Sequence, residues 1–324
     1  MRNLTLILYT VIFVVFCTIV AYLLESDNLE SLWNSFYFVM TTFSTVGYGD
    51  YSPVTFAGKL FAVFMYLVGI GLLGVVIGKI VDAFSIFKRK REEGKVNYMK
   101  KSHIIIVGWN KKTEAAIQEI LSTNPTIEVV LIDTLNKSPI DMTQERVHYV
   151  QGDVTAEETF EKANISEAKS VIIFSDESIQ DPSLRDAKTL TIAIVVERLA
   201  PSVHTTVEVL TEEHTSNFSH VKVDEFILSQ ETVSRIAVRA AMYEGVSKVY
   251  SQLISRQYGE DLYKISKKDQ WITYQDAFND LLDNGATLIA DGAKLDINRR
   301  LNEKIPSDAE LYVICNEETY QKIS

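Results

Sequence analysis

A short glycine-containing run near the N-terminus has the residue types needed to bind a dehydrated cation through main-chain oxygens. Positions 45–50 read T-V-G-Y-G-D. Gly47 and Gly49 can adopt positive φ at little cost, so successive carbonyl groups can point to one side. Such carbonyls would form stacked rings that replace water around the cation, and one chain supplies one oxygen per ring, so the site needs four chains around an axis. The oxygens concerned are the carbonyls of Thr45, Val46, Gly47 and Tyr48 and the Thr45 hydroxyl.

Acidic side chains follow consecutive apolar runs in the second half of the chain. Asp133, Asp153 and Asp176 each come at the end of a predicted strand, and Glu208 lies within the predicted strand 205–210. Because parallel strands end at one rim of a sheet, we expect the three aspartates to lie close together. Individually each is typical of a helix N-cap or a turn. Collectively they could bind a divalent cation, which prefers several carboxylate oxygens.

Gly108 begins a partial dinucleotide fingerprint. Positions 108–113 read GWNKKT, which keeps only the first glycine of G-x-G-x-x-G. Asp133 stands where an acid could bind a ribose hydroxyl. Two interpretations stay open: a fold remnant without tight nucleotide binding, or a site for NAD or an adenine nucleotide as a regulatory ligand. No substrate site or general acid can be named, so we predict that the chain is not an enzyme.

Apolar segments on both sides must position the glycine-containing run at 45–50. Leu4–Leu24 has no charged residue, and at about 1.5 Å per residue it reaches about 31 Å, enough to cross a membrane. A second span is predicted from Phe56 to Gly78. The basic block Lys88–Arg91 follows it, which predicts that this end and both termini are cytoplasmic. Leu32–Thr42 is apolar but too short to span, so it predicts a re-entrant helix that leads into a pore-lining segment.

The remainder predicts an α/β domain. Short apolar runs alternate with helical stretches, which favours a doubly wound parallel sheet. From about residue 250 the pattern changes to a smaller α+β lobe, and residues 230–255 predict a helical connection with an apolar face for a partner. The predicted strands are 103–108, 129–133, 147–153, 170–174, 205–210, 225–228, 261–265, 287–290 and 310–314.

The composition excludes some classes of partner and of structural site. The 324 residues include 43 acidic and 32 basic side chains, a net charge of −11, which argues against nucleic acid as a partner. The two cysteines exclude a disulfide framework and a zinc site built from cysteine alone.

The chain resembles two known families. Residues 4–87, with the run TVGYGDYSP at 45–53, resemble the two-helix pore of prokaryotic potassium channels, and residues 101–324 resemble the RCK (regulator of potassium conductance, TrkA-N/TrkA-C-like) domain. The resemblance implies K+ bound by Thr45 to Gly49, and Tyr48 favours potassium selectivity. It implies a homotetramer in a prokaryotic cell membrane, with RCK domains paired into an octameric gating ring beneath the pore.

Further roles follow from the same resemblance. A gating hinge falls at Gly69, although close helix packing at this small residue is an equal interpretation. Asp82 lies near the inner mouth, where four copies would concentrate cations. Met99 could start free RCK domains. The paired glutamates of the calcium-gated branch are missing after Glu208, so that calcium site is not transferred. The basic block is a tether, or it contacts anionic membrane lipid.

We therefore predict a transmembrane pore module (1–87), a cytoplasmic linker (88–100), a Rossmann-like RCK lobe with the start of the crossover helices (101–245) and an RCK C-terminal lobe (246–324). The predicted function is a potassium-selective channel gated by a ligand of its cytoplasmic ring. The alternatives are a pore-bearing subunit of a potassium transport system and a membrane-anchored nucleotide-binding oxidoreductase.

Overall fold

The chain forms two compact units, Met1–Lys90 and Arg91–Ser324, and each is described by itself. The computed structural model describes residues 3–255 and 259–324.

The first unit is helical. Its helices are α1 (Asn3–Leu24), α2 (Ser26–Leu29), α3 (Leu32–Phe43) and α4 (Phe56–Glu92). The predicted short helix is confirmed as α3, and the Ser31 hydroxyl begins it by accepting the Asn34 N–H at 3.1 Å. Its Phe38 and Val39 pack with Cys17 of α1 and Met65 of α4 in a small core.

Helix α4 is longer than the predicted span. It has 37 residues and continues past Gly78 through the basic block. Neither glycine nor proline occurs between Gly78 and Gly94, so nothing in the sequence ends the helix earlier. Within the described residues α4 is the one helix long and apolar enough to cross a membrane. The part of α1 from Leu8 to Leu24 is apolar too but shorter.

The second unit begins with a six-stranded parallel sheet, which confirms the doubly wound prediction. The strand order, which the sequence did not reveal, is β3-β2-β1-β4-β5-β6. The central strands β1, β2 and β4 are almost wholly apolar, as expected where helices cover both faces of such a sheet. They are β1 (Ile104–Val107), β2 (Val129–Asp133), β3 (Val147–Gln151), β4 (Ser170–Ile173), β5 (His204–Val209) and β6 (Glu225–Leu228).

Three helices connect these strands: α5 (Lys111–Thr123), α6 (Glu157–Lys162) and α7 (Pro182–Leu199). The connection from β2 to β3 has no helix and runs as an irregular loop over residues 134–146. Short 3₁₀ turns lie at Ile165–Glu167, Glu212–Phe218 and Ile297–Arg299.

The C-terminal part confirms the predicted α+β pattern. Helices α8 (Ser229–Met242) and α9 (Val246–Ile254) follow β6, and neither buries a side chain. The strands β7 (Asp261–Ile265), β8 (Thr287–Asp291) and β9 (Leu311–Cys315) form an antiparallel sheet in the order β7-β9-β8. Helices α10 (Tyr274–Asp283) and α11 (Glu317–Ile323) complete the lobe.

The predicted linker 88–100 is partly helical and partly packed against other residues. Its first residues are the last turns of α4. Its later residues pack on the second unit, where Tyr98 joins the main core at 5% exposure.

Candidate ion-binding segment and regulatory cleft

The backbone of residues 45–49 alternates in handedness. Thr45, Gly47 and Gly49 have φ values of +61°, +55° and +79°, whereas Val46 and Tyr48 do not adopt positive φ. Glycine adopts this region freely, but a β-branched threonine there is strained by about 1–2 kcal/mol. The strain lies at the position that would also supply a hydroxyl oxygen, as is common at functional sites.

Hydrogen bonds from α3 hold this alternation. The Thr41 carbonyl accepts the N–H groups of Val46 at 3.0 Å and Gly47 at 3.1 Å, and the Thr42 carbonyl accepts that of Thr45 at 3.0 Å. The amides are therefore turned back toward the end of α3. Among the described residues, no hydrogen bond is donated to the carbonyl oxygens of residues 45–48. These oxygens stand on an exposed stretch of chain and are free to bind a cation.

A cavity of about 390 Å³ lies beside the segment and joins it to α4. Its lining includes Thr42, Thr45 and Gly47 together with Gly69. A Cβ atom on Gly69 would lie 2.6 Å from the Phe43 Cδ1 atom. Gly69 therefore packs closely on the aromatic ring that ends α3, which supports the packing interpretation of this glycine.

Glu25, which follows α1, and Asn28 of α2 hold the chain beyond Gly49. The carboxylate of Glu25, which is 3% exposed, accepts the N–H groups of Val54 at 3.2 Å and Thr55 at 2.8 Å and the Thr55 hydroxyl at 2.7 Å. Asn28 donates to the Ser52 carbonyl at 2.6 Å. Burial alone would raise the pKa of Glu25, but these hydrogen bonds outweigh it and lower the pKa.

Sequence reasoning missed this role of Glu25. No local pattern in the sequence marks it, and the close contact shows only in the structure, where an added Cβ on Gly58 would overlap the Glu25 carboxylate. At the predicted inner mouth, Asp82 is exposed and lies 3.8 Å from the ammonium of Lys79.

In the second unit a cleft of about 240 Å³ opens at the carboxyl ends of the strands. It brings together three of the predicted residues, Gly108, Asp133 and Asp176, with Trp109 and Lys188. Asp153 and Glu208 do not line it.

The three strand-end aspartates do not line one common site, because Asp133 and Asp176 line the cleft and Asp153 does not. Each accepts hydrogen bonds from its own loop: Asp133 from the Leu135 N–H, Asp153 from Thr155, and Asp176 from Ser178. Within the ranges 3–255 and 259–324 no three His, Cys, Asp or Glu side chains are grouped to hold a metal ion. The turn interpretation describes these residues better.

Asp176 also binds Lys188, whose ammonium lies 2.6 Å from its Oδ2 atom. Burial would raise the pKa of Asp176, but the hydrogen bonds from Lys188 and Ser178 prevail and lower the pKa to about 2. At Asp176 the cleft therefore contains a neutralised pair, whereas the Asp133 carboxylate accepts only backbone N–H groups in the part of the chain that the structure describes.

Glu208 forms a separate buried pair. Its carboxylate is 3% exposed, and it accepts the Lys112 ammonium at 2.6 Å and the Ser175 N–H at 2.9 Å. Burial would raise the pKa of Glu208, yet hydrogen bonds from Lys112, Ser229 and Ser175 lower it. This pair ties α5 to β5, and no local pattern in the sequence marks it.

The cleft fits part of a nucleotide. The Asp133 carboxylate accepts the Trp109 N–H at 2.7 Å and retains lone pairs for a ribose hydroxyl. In contrast, the Asn110 side chain caps α5 by accepting the Thr113 N–H at 2.9 Å. That amide is one of those that a phosphate would use at a helix N-terminus. The residues suit a nucleoside better than a pyrophosphate.

Together these features describe two parts: a helical module with a long apolar helix and a main-chain segment whose carbonyl oxygens accept no hydrogen bond from the described residues, and a Rossmann-like domain with a cleft at its strand ends. Known families match both parts. Residues 8–85 match the family described as Ion channel, and residues 104–229 match the TrkA-N domain. A segment similar to ion channels is thus followed by one similar to the TrkA-N domain, and the long apolar helix agrees with a membrane protein.

The relatives are named potassium channels. The chain is 32% identical over 219 residues to the putative potassium channel protein YugO of Bacillus subtilis, a match that covers 67% of this chain and 65% of that protein. It is 30% identical over 223 residues to the calcium-gated potassium channel TvoK of Thermoplasma volcanium, covering 68% and 63%. The matches thus span less than two thirds of the relatives' own length.

Among solved structures, the human SLO3 gating ring is similar in fold. The TM-score is 0.54 at 11% identity, and the match covers 68% of this chain and 46% of that one.

Proposed function

We propose that this protein is a potassium-selective channel of the cell membrane whose opening is controlled by a ligand of its cytoplasmic domain. The observation that carries the proposal is the alternating backbone at residues 45–49, with its amides bonded to α3 and its carbonyl oxygens free. Free carbonyls in a row can replace the hydration shell of K+. The names of the relatives support the same ion.

A complete ring of oxygens needs four chains, so the proposal includes a homotetramer. The exposed aliphatic and aromatic side chains of α8 and α9 offer a face on which RCK domains would pair into an octameric gating ring. These side chains are Val233, Val238, Met242, Val249, Tyr250 and Ile254. Free domains started at Met99 would complete that ring.

The cleft at Gly108, Asp133 and Asp176 would hold the regulatory ligand, an adenine nucleotide or NAD bound through its nucleoside. A divalent cation remains the second candidate because one relative is named calcium-gated. Whichever ligand binds must favour one state of the ring, since only differential affinity shifts an equilibrium.

The loop 134–146 offers a path from the cleft to the end of α4. Thr134 and Leu135 line the cleft. The Ser138 N–H donates to the Glu92 carbonyl at 2.7 Å, and the Lys137 ammonium lies 3.2 Å from the Glu92 carboxylate. A ligand that moves the start of this loop would therefore act on the last residues of α4, with Gly69 as the proposed hinge, Asp82 near the inner mouth and both termini in the cytoplasm.

Ion flux into vesicles tests the proposal. The purified chain is reconstituted, and K+ and Na+ uptake are compared for the wild type, Gly47→Ala and Gly292→Ala. Both glycines have φ of +55° and open space around a Cβ, so the backbone strain is matched. We expect K+-selective flux in the wild type and in Gly292→Ala, and its loss in Gly47→Ala. Selective flux that survives Gly47→Ala, or a wild type that conducts Na+ equally, would refute the proposal.

A further inference from the structure

Two histidines enclose a buried tyrosine where the chain leaves α4 and enters the second unit. The ring centroid of Tyr98 lies 4.4 Å from that of His103 and 5.3 Å from that of His148. Tyr98 is 5% exposed and His103 is fully buried. We refer to these three residues as the histidine cluster.

The histidine cluster fastens residues 91–98, here named the clasp segment, to the edge of the parallel sheet. Strand β3 is the edge strand, and the clasp segment covers part of its open side. The bonds between them are His148 Nε2 to the Val96 carbonyl at 2.7 Å, the Gln151 N–H to the Gly94 carbonyl at 3.1 Å and Arg91 Nη2 to the Val147 carbonyl at 3.3 Å.

The path of the clasp segment is fixed closely. Gly94 has φ of +63°, and a Cβ there would lie 2.3 Å from the Gln151 nitrogen. The Tyr98 N–H donates to the Lys162 carbonyl at 2.8 Å. The clasp segment therefore cannot shift along β3 without breaking these bonds.

The hydrogen bonds fix the protonation of both histidines. Nε2 of His103 lies 2.9 Å from the Ala163 carbonyl, and Nε2 of His148 faces the Val96 carbonyl. A carbonyl only accepts, so both Nε2 atoms carry hydrogen and both Nδ1 atoms are bare in the neutral rings. The Nδ1 atom of His103 is buried and has no hydrogen-bond partner in the described chain. A proton there would add a charge and an unsatisfied donor to the core.

Few charged groups face the cluster. Arg91 opposes a charge on His148, and a charge on His148 opposes one on His103, whereas Glu128 favours a charge on either ring. Glu128 already accepts the Tyr98 hydroxyl and pairs with Lys100. Burial prevails and holds the pKa of both histidines below the ordinary value.

We propose that the histidine cluster is a proton-operated latch, in which acidification of the cytoplasmic side releases the clasp segment from β3. The latch is a property of the second unit and goes beyond the proposed channel function. Its effect on ion flow, a loss of coupling between the ligand cleft and α4, rests on that function.

The sign follows from proton linkage. The two histidines bind protons more weakly when the clasp segment is bound to β3 than when it is released. The bound state is therefore fully stable above the ordinary histidine pKa of about 6.5 and weakens as the pH falls below it. Between pH 7.5 and 5.5 each histidine can increase release by up to about tenfold, and both together by up to about 100-fold.

Hydrogen exchange of the full chain in detergent tests the latch without reference to ion flow. The reporter is the Tyr98 amide, with labelling times corrected for the intrinsic exchange rate at pH 7.5, 6.5 and 5.5. His148→Gln and His103→Gln keep a side-chain N–H donor and remove the titration. His220→Gln is the control because His220 is exposed. Peptides from β1 report whether each variant is folded.

Between pH 7.5 and 5.5 we expect protection of the Tyr98 amide to fall, by up to about 100-fold, in the wild type and in His220→Gln. It should fall less, by up to about tenfold, in His148→Gln and stay constant in the double variant. Protection that does not change with pH in the wild type overturns the latch, whatever the variants do. So does an acid-induced loss that persists in the folded double variant. Neither result bears on K+ selectivity, so failure of the latch and failure of the channel proposal are distinguishable.

Discussion

Replacing Glu25 should loosen the chain that leaves the ion-binding segment. In Glu25→Ala the N–H groups of Val54 and Thr55 and the Thr55 hydroxyl lose their acceptor. The favourable interaction of the carboxylate with the N-terminus of α4 is also lost. Gln at this position retains one oxygen but turns an amide donor toward an N–H group.

The size of the effect can be worked from burial. A buried donor without an acceptor costs about 1–3 kcal/mol. Val54 is 60% exposed, so water replaces part of what is lost, and about 2–3 kcal/mol in total is expected for Glu25→Ala. For a unit of this size 1 kcal/mol corresponds to about 4–8 °C, which gives a decrease in melting temperature of about 10–20 °C. Glu25→Gln should lie about halfway.

The assay uses the buried thiol of Cys17, which is fully shielded in the first unit. In a Cys315→Ser background it is the one thiol of the chain, so a thiol-reactive fluorescent dye reports thermal unfolding of this unit. Glu30→Gln is the matched control because Glu30 is exposed in the same turn. A melting temperature for Glu25→Ala within about 3 °C of that of Glu30→Gln would refute the reasoning.

Two further substitutions test other contacts. Gly69→Ala should lower the free energy of unfolding in the Cys17 assay by about 1–3 kcal/mol because its Cβ meets the Phe43 ring. Adding Phe43→Leu should restore part of that stability. Gly71→Ala is the control and should cost little, because the space around Gly71 is open. Lys112→Met should destabilise the second unit by about 3 kcal/mol at pH 7, since it leaves the Glu208 carboxylate buried and unpaired. The pKa of Glu208 is lowered in the folded chain, so the stability that the wild type gains from this ion pair should be lost as the pH falls below about 4.5. Urea denaturation at pH 7 measures the difference, with Lys101→Met, which removes an exposed ion pair, as the control. Equal stability of Lys112→Met and Lys101→Met would contradict the prediction.

Much of the fold is predictable because buried parallel strands leave continuous apolar runs in the sequence. The predicted bounds of all nine strands agree with the observed ones to within two residues at each end, and the short helix that precedes residue 45 agrees as well. The ion-binding segment is predictable because its chemistry belongs to the backbone, and glycines at 47 and 49 mark the positive φ values directly.

The side-chain pairs could not be predicted, since their partners are distant in sequence. Glu25 meets Thr55 across 30 residues, and Lys112 meets Glu208 across 96. Nothing local distinguishes these acids from solvated ones. They become visible only when burial and geometry are known.

The strand-end aspartates are a different case, because a local signal existed. Asp153 is followed two residues later by Thr155 and Asp176 by Ser178, and each aspartate accepts from both the N–H and the hydroxyl of that residue. Such spacing is typical of an Asx turn. The spacing alone therefore favours the turn interpretation over a shared metal site.

Anomalous X-ray scattering from Tl+, a heavy substitute for K+, tests the central claim most directly. Crystals of the full chain grown in Tl+ should show a row of anomalous peaks on a fourfold axis, each bounded by the carbonyl oxygens of residues 45–48. Crystals in which those oxygens face lipid or packed protein, with no ion beside them, would contradict the account.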